Sequence, residues 1–252
     1  MPQKAELRFD IRRYSEVGST NDIAAEYGAR GAAEGLVVVA DTQTAGRGRF
    51  GRTWHSPPGS GVYVSVLFRP ETELASTLTL AGGVAICEAV RESTGLPAII
   101  KWPNDLLAPE GRRKLAGILV EGIATGRRVE RVVFGFGLNI RRSAYPPDLR
   151  GRATSLEEEL GRPVDPELVL EFCLAALARR YEDLKQGRRE AVLDRWRELA
   201  PDARGTRIEW VRDGEAVRGV SAGIDADGAL LAETERGTER IVSGEVTWCY
   251  SQ

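Results

Sequence analysis

The chain has 252 residues, 42% hydrophobic and 29% charged, a composition that suits a folded protein with an ample core. Against 37 Asp and Glu stand 35 Lys and Arg, for a formal charge of −2; this excludes a general nucleic-acid binder with a strongly basic domain. No stretch approaches the ~20 apolar residues of a membrane span, and "MPQKAELRFDIRRYSE" has no apolar core of a signal peptide. Cys87, Cys173 and Cys249 are odd in number and never form C-x-x-C, which predicts buried thiols in a reducing compartment. A cytoplasmic protein without nucleic-acid or membrane partners is expected. Basic residues gather locally instead, at 47–52, 112–114 and 127–131, as a small anionic ligand would require.

In chain order, "RFDIRRYSEVGSTNDIAAEYGARG" predicts a short strand, a loop and a helix. Ser19, Thr20 or Asn21 would cap that helix, with Ile23, Ala24 and Tyr27 turned inward. "GLVVVADTQ" reads as a buried strand, and "GVYVSVLFRP" alternates Val62, Val64, Val66 and Phe68 on one face. A long helix is expected over 75–95, where Gly82 and Gly83 permit close packing and Gly95 supplies the stop. Residues 97–140 read as an antiparallel meander with turns at 109–111 and 125–128. A helix of about 20 residues follows, with Asp165 as N-cap, Pro166 first and Val169, Phe172 and Ala176 as its apolar stripe. A shorter helix is expected near 189–200. From Gly205 the chain becomes short strands with Asp-Gly turns at 213–214 and 227–228, the signal of tight hairpins in a small barrel or sandwich. The division falls near 201–204, giving an α+β unit over 1–203 and a β unit over 204–252.

Three stretches have the residues for chemistry. "TAGRGRFGRTW" (44–54) spells GxGxxG after an apolar strand, which suggests a dinucleotide turn. That turn must run straight into a helix, whereas "RTWHSPPGSG" follows here. No Lys-Ser/Thr pair ends the loop, so a Walker phosphate loop is excluded as well. What remains is either a solvated basic loop or a glycine loop whose Arg47, Arg49 and Arg52 grip an anion. In "KWPND" (101–105) a proline halts a strand and leaves Asn104 and Asp105 at its end, as a bare turn or as site residues. In "RRKLAGILVEG" (112–122) Lys114 opens a strand that contains Gly117. Arg112, Arg113 and Lys114 are either a solvated hairpin tip or a ligand-facing group, and an interior glycine marks close approach. His55 is the only histidine, reads as a loop residue, and has no G-x-S-x-G elbow beside it. No carboxylate cluster at metal-ligand spacing is present.

Together "STN" (19–21), "QTAGRGRFGRTW" (43–54), "KWPND", "RKLAGILVE" (113–121) and "GFGLNI" (135–140) resemble the biotin protein ligases in order and spacing over nearly the whole chain. The resemblance implies an α+β fold: a mixed, largely antiparallel sheet with helices, related to class II aminoacyl-tRNA synthetases, then a small Src-homology-3-type barrel. It implies ATP-dependent biotinylation of one lysine on a biotin carboxyl carrier protein through biotinyl-5'-adenylate. ATP with Mg²⁺ and biotin would be substrates, and no tightly bound cofactor or protein-held metal is implied. Ser19, Thr20, Asn21, Gln43, Arg47, Gly48, Arg49, Lys114 and Gly117 are thereby expected at biotin. Arg47, Arg49, Trp54, Asn104, Lys114, Gly135, Gly137 and Asn139 are expected at ATP or the adenylate. Arg49, Lys114 and Asp105 would be the catalytic residues, and Gly117, Gly135 and Gly137 the places where strands approach the ligand.

The same resemblance implies a ligase without an operator-binding domain, since "STN" arrives by residue 19. A homodimer through sheet association is compatible with it, with 131–140 as the candidate edge. Phe50 stands where relatives can carry a basic residue, so one loop charge is missing. A lipoate or octanoate ligase or transferase of the same superfamily is the alternative; the Gly/Arg loop and the C-terminal β unit disfavour it. A non-catalytic binding module is disfavoured by the joint presence of Arg49 and Lys114.

Overall fold

The computed structural model describes residues 7–75, 77–126 and 128–250. Residues 1–6 and 251–252, Ser76 within the helix expected over 75–95, and Arg127 of the basic group at 127–131 lie outside the described residues. The elements are β1 (Asp10–Val17), α1 (Thr20–Ala29), β2 (Leu36–Gln43), β3 (Gly61–Phe68), α2 (Thr72–Ala75), α3 (Leu78–Thr94), β4 (Ile99–Lys101), β5 (Asp105–Leu107), β6 (Lys114–Thr125) and β7 (Arg128–Asn139). They continue with α4 (Leu156–Leu160), α5 (Pro166–Lys185), α6 (Arg189–Leu199), β8 (Arg204–Arg212), β9 (Glu215–Ile224), β10 (Leu230–Thr234), β11 (Gly237–Ile241) and β12 (Val246–Cys249).

The first seven strands form one sheet in the order β1-β2-β3-β7-β6-β5-β4. β1 and β2 run parallel, and every other neighbouring pair is antiparallel, so the meander expected over 97–140 is present. β7 is central, between β3 and β6, which corrects the expectation that 131–140 is an edge. Val132 to Ile140 are all buried, and a strand covered on both faces belongs inside a sheet. The edges are β1 and β4.

Strand alternation divides the sheet into two faces. One face, with Val62, Val64, Val66, Ala116, Ile118, Phe134, Phe136 and Leu138, packs against α3, α5 and α6 in the main core. Gly82 of α3 makes that contact close, because a Cβ there would fall 1.9 Å from the Phe134 ring. α3 ends at Gly95 with φ 81°, and Asp165 caps α5 by accepting from Glu167 N at 3.0 Å. Among the described residues the helix on the other face is α1, packed through Ala24 against Leu36, Val38, Leu67 and Val133. α1 is short, so the part of this face beyond its N-terminus is left for the site.

The remaining strands form a five-stranded antiparallel sheet, β11-β10-β9-β8-β12. Asp213 and Gly214 both have positive φ in the hairpin from β8 to β9, as the Asp-Gly signal requires. Ile208, Trp210, Leu230 and Trp248 join the main core, and Trp102 Nε1 donates to Gly228 O at 3.0 Å. Cys87 and Cys173 are buried as expected, while Cys249 is exposed, a correction that follows from its outward position on β12. Among the described residues no helix is long and apolar enough to cross a membrane.

Candidate functional site

The floor of the site is made by register. Lys101, Asp105, Gly117, Gly137 and Tyr63 are successive cross-strand partners on β4, β5, β6, β7 and β3. Leu119, Gly135 and Ser65 form the next row on the same face. Three glycines therefore leave the sheet bare beside α1. A Cβ on Gly135 would sit 2.1 Å from Asn21 Oδ1, and one on Gly137 would sit 2.3 Å from Trp54 Nε1. On Gly117 it would meet Trp54 Cζ3 at 3.1 Å and Lys114 Nζ at 3.2 Å. The glycines make room first for the site's own side chains, a finer role than direct approach of a ligand.

Above this floor lies a cavity of about 480 Å³. Its lining includes Ser19, Thr20, Asn21, Gln43, Arg47, Gly48, Arg49, Trp54, Asn104, Asp105, Lys114, Gly117, Gly135, Gly137 and Asn139. Every residue that the resemblance assigned to biotin, ATP or the reaction thus lines one cavity. His55 also reaches the rim, as an exposed loop residue. After Gly51 the chain runs to β3 without an intervening helix, so it makes no dinucleotide turn.

One end of the cavity is polar and buried. Gln43 Oε1 accepts from Thr20 N at 2.9 Å and from Thr20 Oγ1 at 3.1 Å, while Gln43 Nε2 donates to Ser56 Oγ at 2.9 Å. Ser65 Oγ lies 2.8 Å from Thr20 Oγ1 and 2.5 Å from Asn21 Oδ1, and Asn21 Nδ2 donates to Glu121 Oε2 at 2.5 Å. Ser19 stands at the N-cap of α1 without a side-chain capping bond. Such a lattice, at the positive end of a helix, holds several donors and acceptors in fixed directions. Arg47 forks onto Asp22 with two 2.7 Å bonds and lies 3.4 Å from Glu121. The hydrogen bonds from Arg47 hold the Asp22 carboxyl below the usual carboxylate range.

The middle is cationic. Residues 46–54 form a compact hairpin in which Gly48 N donates to Arg52 O at 2.7 Å and Trp54 N donates to Gly46 O at 2.9 Å. Gly46 is needed there, since a Cβ would lie 2.5 Å from Trp54 O; Phe50 (φ 56°) and Gly51 (φ 72°) turn the tip. From this hairpin Arg49 Nη1 donates to Asn104 Oδ1 at 3.3 Å. From β6, Lys114 Nζ reaches Asp105 Oδ1 at 2.6 Å and lies 5.4 Å from the centre of the Trp54 ring. Burial lowers the Arg49 pKa, and Asp105 opposes that shift. The turn beneath is stapled to β6, with Asn104 Nδ2 donating to Ile118 O and Ile118 N to Asn104 O, both at 2.9 Å. Two cations from different elements thus meet neighbouring residues of one fixed turn.

Beyond Lys114, Ala144, Tyr145, Pro146, Leu149 and Ala153 add an apolar wall. Asn139 ties it down, its Nδ2 donating to Thr154 O at 2.9 Å and lying 3.5 Å from Lys114 O. Gly244 and Glu245, in the loop before β12, and Val246 at its start complete the lining, and Arg52 pairs with Glu245 at 2.5 Å. Arg112 and Arg113 are no solvated tip: Arg112 pairs with Asp202 at 2.7 Å, and Arg113 pairs with Glu158 at 2.7 Å and Glu159 at 2.6 Å. Sequence reasoning left out Asp22, Ser65, Lys101, Glu121 and this wall. Ser65 carried a signal, as the one polar residue inside an apolar strand.

The chain is similar to known proteins over most of its length. Residues 16–139 match the model of the Biotin/lipoate A/B protein ligase family, and 205–247 match that of the Biotin protein ligase C terminal domain. The bifunctional ligase/repressor BirA of Bacillus subtilis is 35% identical, covering 96% of this chain and 78% of its own length. The biotin–[acetyl-CoA-carboxylase] ligase of Paracoccus denitrificans is also 35% identical, over 83% of this chain and 88% of its own. Among solved structures, the biotin protein ligase of Aquifex aeolicus in complex with biotin and ATP superposes with a TM-score of 0.82. It is 30% identical and covers 96% of this chain and 99% of its own.

Proposed function

We propose, from the premise that this chain belongs to the biotin protein ligase family, that it joins biotin to a carrier protein in two steps. Biotin and Mg-ATP give biotinyl-5'-adenylate and pyrophosphate. The biotinyl group then passes to one lysine of a biotin carboxyl carrier protein, and AMP leaves. The observation that carries this reading is the meeting of Arg49 and Lys114 at the Asn104–Asp105 turn, in the same cavity as the Thr20, Asn21 and Gln43 lattice. Residues 1–203 would carry both steps, with 204–252 closing one side of the cavity through Gly244, Glu245 and Val246.

In the first step a biotin carboxylate oxygen attacks the α-phosphorus and the bond to the β-phosphate oxygen breaks. A carboxyl with a pKa near ~4 is already ionised at neutral pH, so no general base is required. The barrier is repulsion between a carboxylate and a triphosphate. Arg49 and Lys114 offset it where charge gathers, and a water-poor cavity strengthens them. Ser19, Thr20, Asn21 and Gln43 would hold the polar ring of biotin, with Arg47 and Gly48 at the cover. Trp54 and the wall near Asn139 would receive the adenylate. Mg²⁺ enters with ATP as part of the substrate, bound chiefly by phosphate oxygens and water.

In the second step the acceptor amine, with a reference pKa of ~10.4, must lose a proton before it attacks the acyl carbon. Asp105 would border that carbon, orient the amine and accept its proton directly or through water. The carboxylate keeps one oxygen on Lys114, which leaves the other for the amine. Asp105→Ala is accordingly expected to slow transfer from preformed biotinyl-adenylate by ~10²-fold or more, on the scale of a lost acid–base group. A normal transfer rate in a rapid-quench assay excludes Asp105 from this step.

The whole reading is tested by incubating the protein with biotin, Mg-ATP and a purified carrier domain and recording intact mass. One biotinyl addition, lost when the acceptor lysine is replaced, is the expected result. Modification by lipoate or octanoate in place of biotin would transfer the chain to the alternative activity.

A further inference from the structure

The cavity contains one ammonium group more than the pair assigned to the α-phosphate. Lys101 ends β4 and lines the cavity, in cross-strand register with Asp105. Strand spacing places its backbone about 5 Å further toward the sheet edge. The charged groups around it are Asp105, Lys114, Glu245 and Arg52. Both carboxylates already have a cation: Asp105 meets Lys114 at 2.6 Å and Glu245 meets Arg52 at 2.5 Å. Among the described residues Lys101 forms no ion pair of its own. Three cations against two carboxylates leave this corner positive even before Arg49 is included.

A half-buried ammonium without a counter-charge costs free energy. Burial lowers its pKa, an effect that Lys114 and Arg52 reinforce and Asp105 and Glu245 oppose. The position is explained if the partner is an anion that arrives with substrate. Arg49 and Lys114 occupy the reacting corner at residues 104 and 105, whereas Lys101 stands one strand further out, on the edge strand, with Glu245 among the charges that act on it.

We propose that Lys101 anchors the β- and γ-phosphates of ATP and stabilises the departing pyrophosphate. The inference rests on the adenylation reading above. It assigns Lys101 to the first step alone, because pyrophosphate has left before the carrier lysine reacts. Lys114 and Arg49 act on the bond being made; Lys101 acts on the group that leaves.

The test uses the full chain with Lys101→Met, Lys101→Gln and Lys101→Arg. Biotin-dependent ATP–pyrophosphate exchange should show KM values for ATP and pyrophosphate raised ~10- to 100-fold in the Met and Gln variants, the scale of a lost charged hydrogen bond. The Arg variant should recover most of this. Biotin affinity and the transfer rate from preformed biotinyl-adenylate should match the parent protein, which also verifies folding. Unchanged KM for both ATP and pyrophosphate overturns the assignment. An equal loss in transfer also overturns it, because that makes Lys101 a general support of the sheet. A parent protein without any biotin-dependent exchange overturns the adenylation reading itself, and the role of Lys101 with it; that failure is recognised before any variant is made.

Discussion

Lys114→Ala should slow single-turnover formation of biotinyl-adenylate by ~10²- to 10³-fold, the scale of removing one preorganised group that stabilises developing charge. The side chain is fixed from two sides, by the 2.6 Å contact with Asp105 and by the Trp54 ring 5.4 Å away. Its ammonium therefore needs little reorganisation to meet a phosphorane oxygen. Lys114→Arg should recover little, since a planar fork does not replace a point charge seated between a carboxylate and an indole. Loss of the lysine also leaves Asp105 without its counter-ion and adds a negative charge where the carboxylate and the triphosphate already repel. Rapid quench with labelled ATP separates this defect from weak binding. A variant with normal burst rate and amplitude would remove Lys114 from the reaction centre.

Gly135→Ala should weaken biotin binding by ~10- to 100-fold without unfolding the protein. The added Cβ would stand 2.1 Å from Asn21 Oδ1. Asn21 must then leave its bonds with Ser65 and Glu121. Each buried polar group so disturbed costs about 1–3 kcal/mol, and the damage spreads through Ser65 to Thr20 and Gln43. Gly122→Ala is the control, because its Cβ would meet nothing within 4 Å on β6, a strand that Gly135 neighbours. Titration calorimetry with biotin should separate the two variants. Equal affinities would mean that the Asn21 lattice does not receive the vitamin.

The parts of the site that can be read from sequence are those constrained by backbone. Gly46, Gly135 and Gly137 are glycines because a Cβ would strike Trp54 O, Asn21 and Trp54, so the motifs that contain them keep a recognisable spelling. The strand–turn–strand at residues 99–107 is legible for a similar reason: Pro103 ends one strand and the next begins at Asp105. What escaped depends on register. Lys101 lies within the motif that was read, yet only its pairing with Asp105 shows that both face the cavity. Glu245 and Val246 reach the site because Trp102 and Gly228 lock the second sheet onto the first, a contact that no local pattern announces. The central place of β7 is, by contrast, signalled by its apolar run from Val132, which marks burial on both faces and outweighs the expectation of an edge. The parallel pairing of β1 with β2 is silent in the sequence, since both neighbours and registers of an eight-residue strand are set by what packs on it.

The central claim is that the hairpin arginine and the β6 lysine act together on one bond. A double-mutant cycle of Arg49→Ala and Lys114→Ala, read on the single-turnover rate of biotinyl-adenylate formation, tests it most directly. Groups that share one transition state should show a coupling of about 0.5–3 kcal/mol, the double variant losing less than the sum of the single losses. Strictly additive losses would place the two cations at separate jobs and contradict the account.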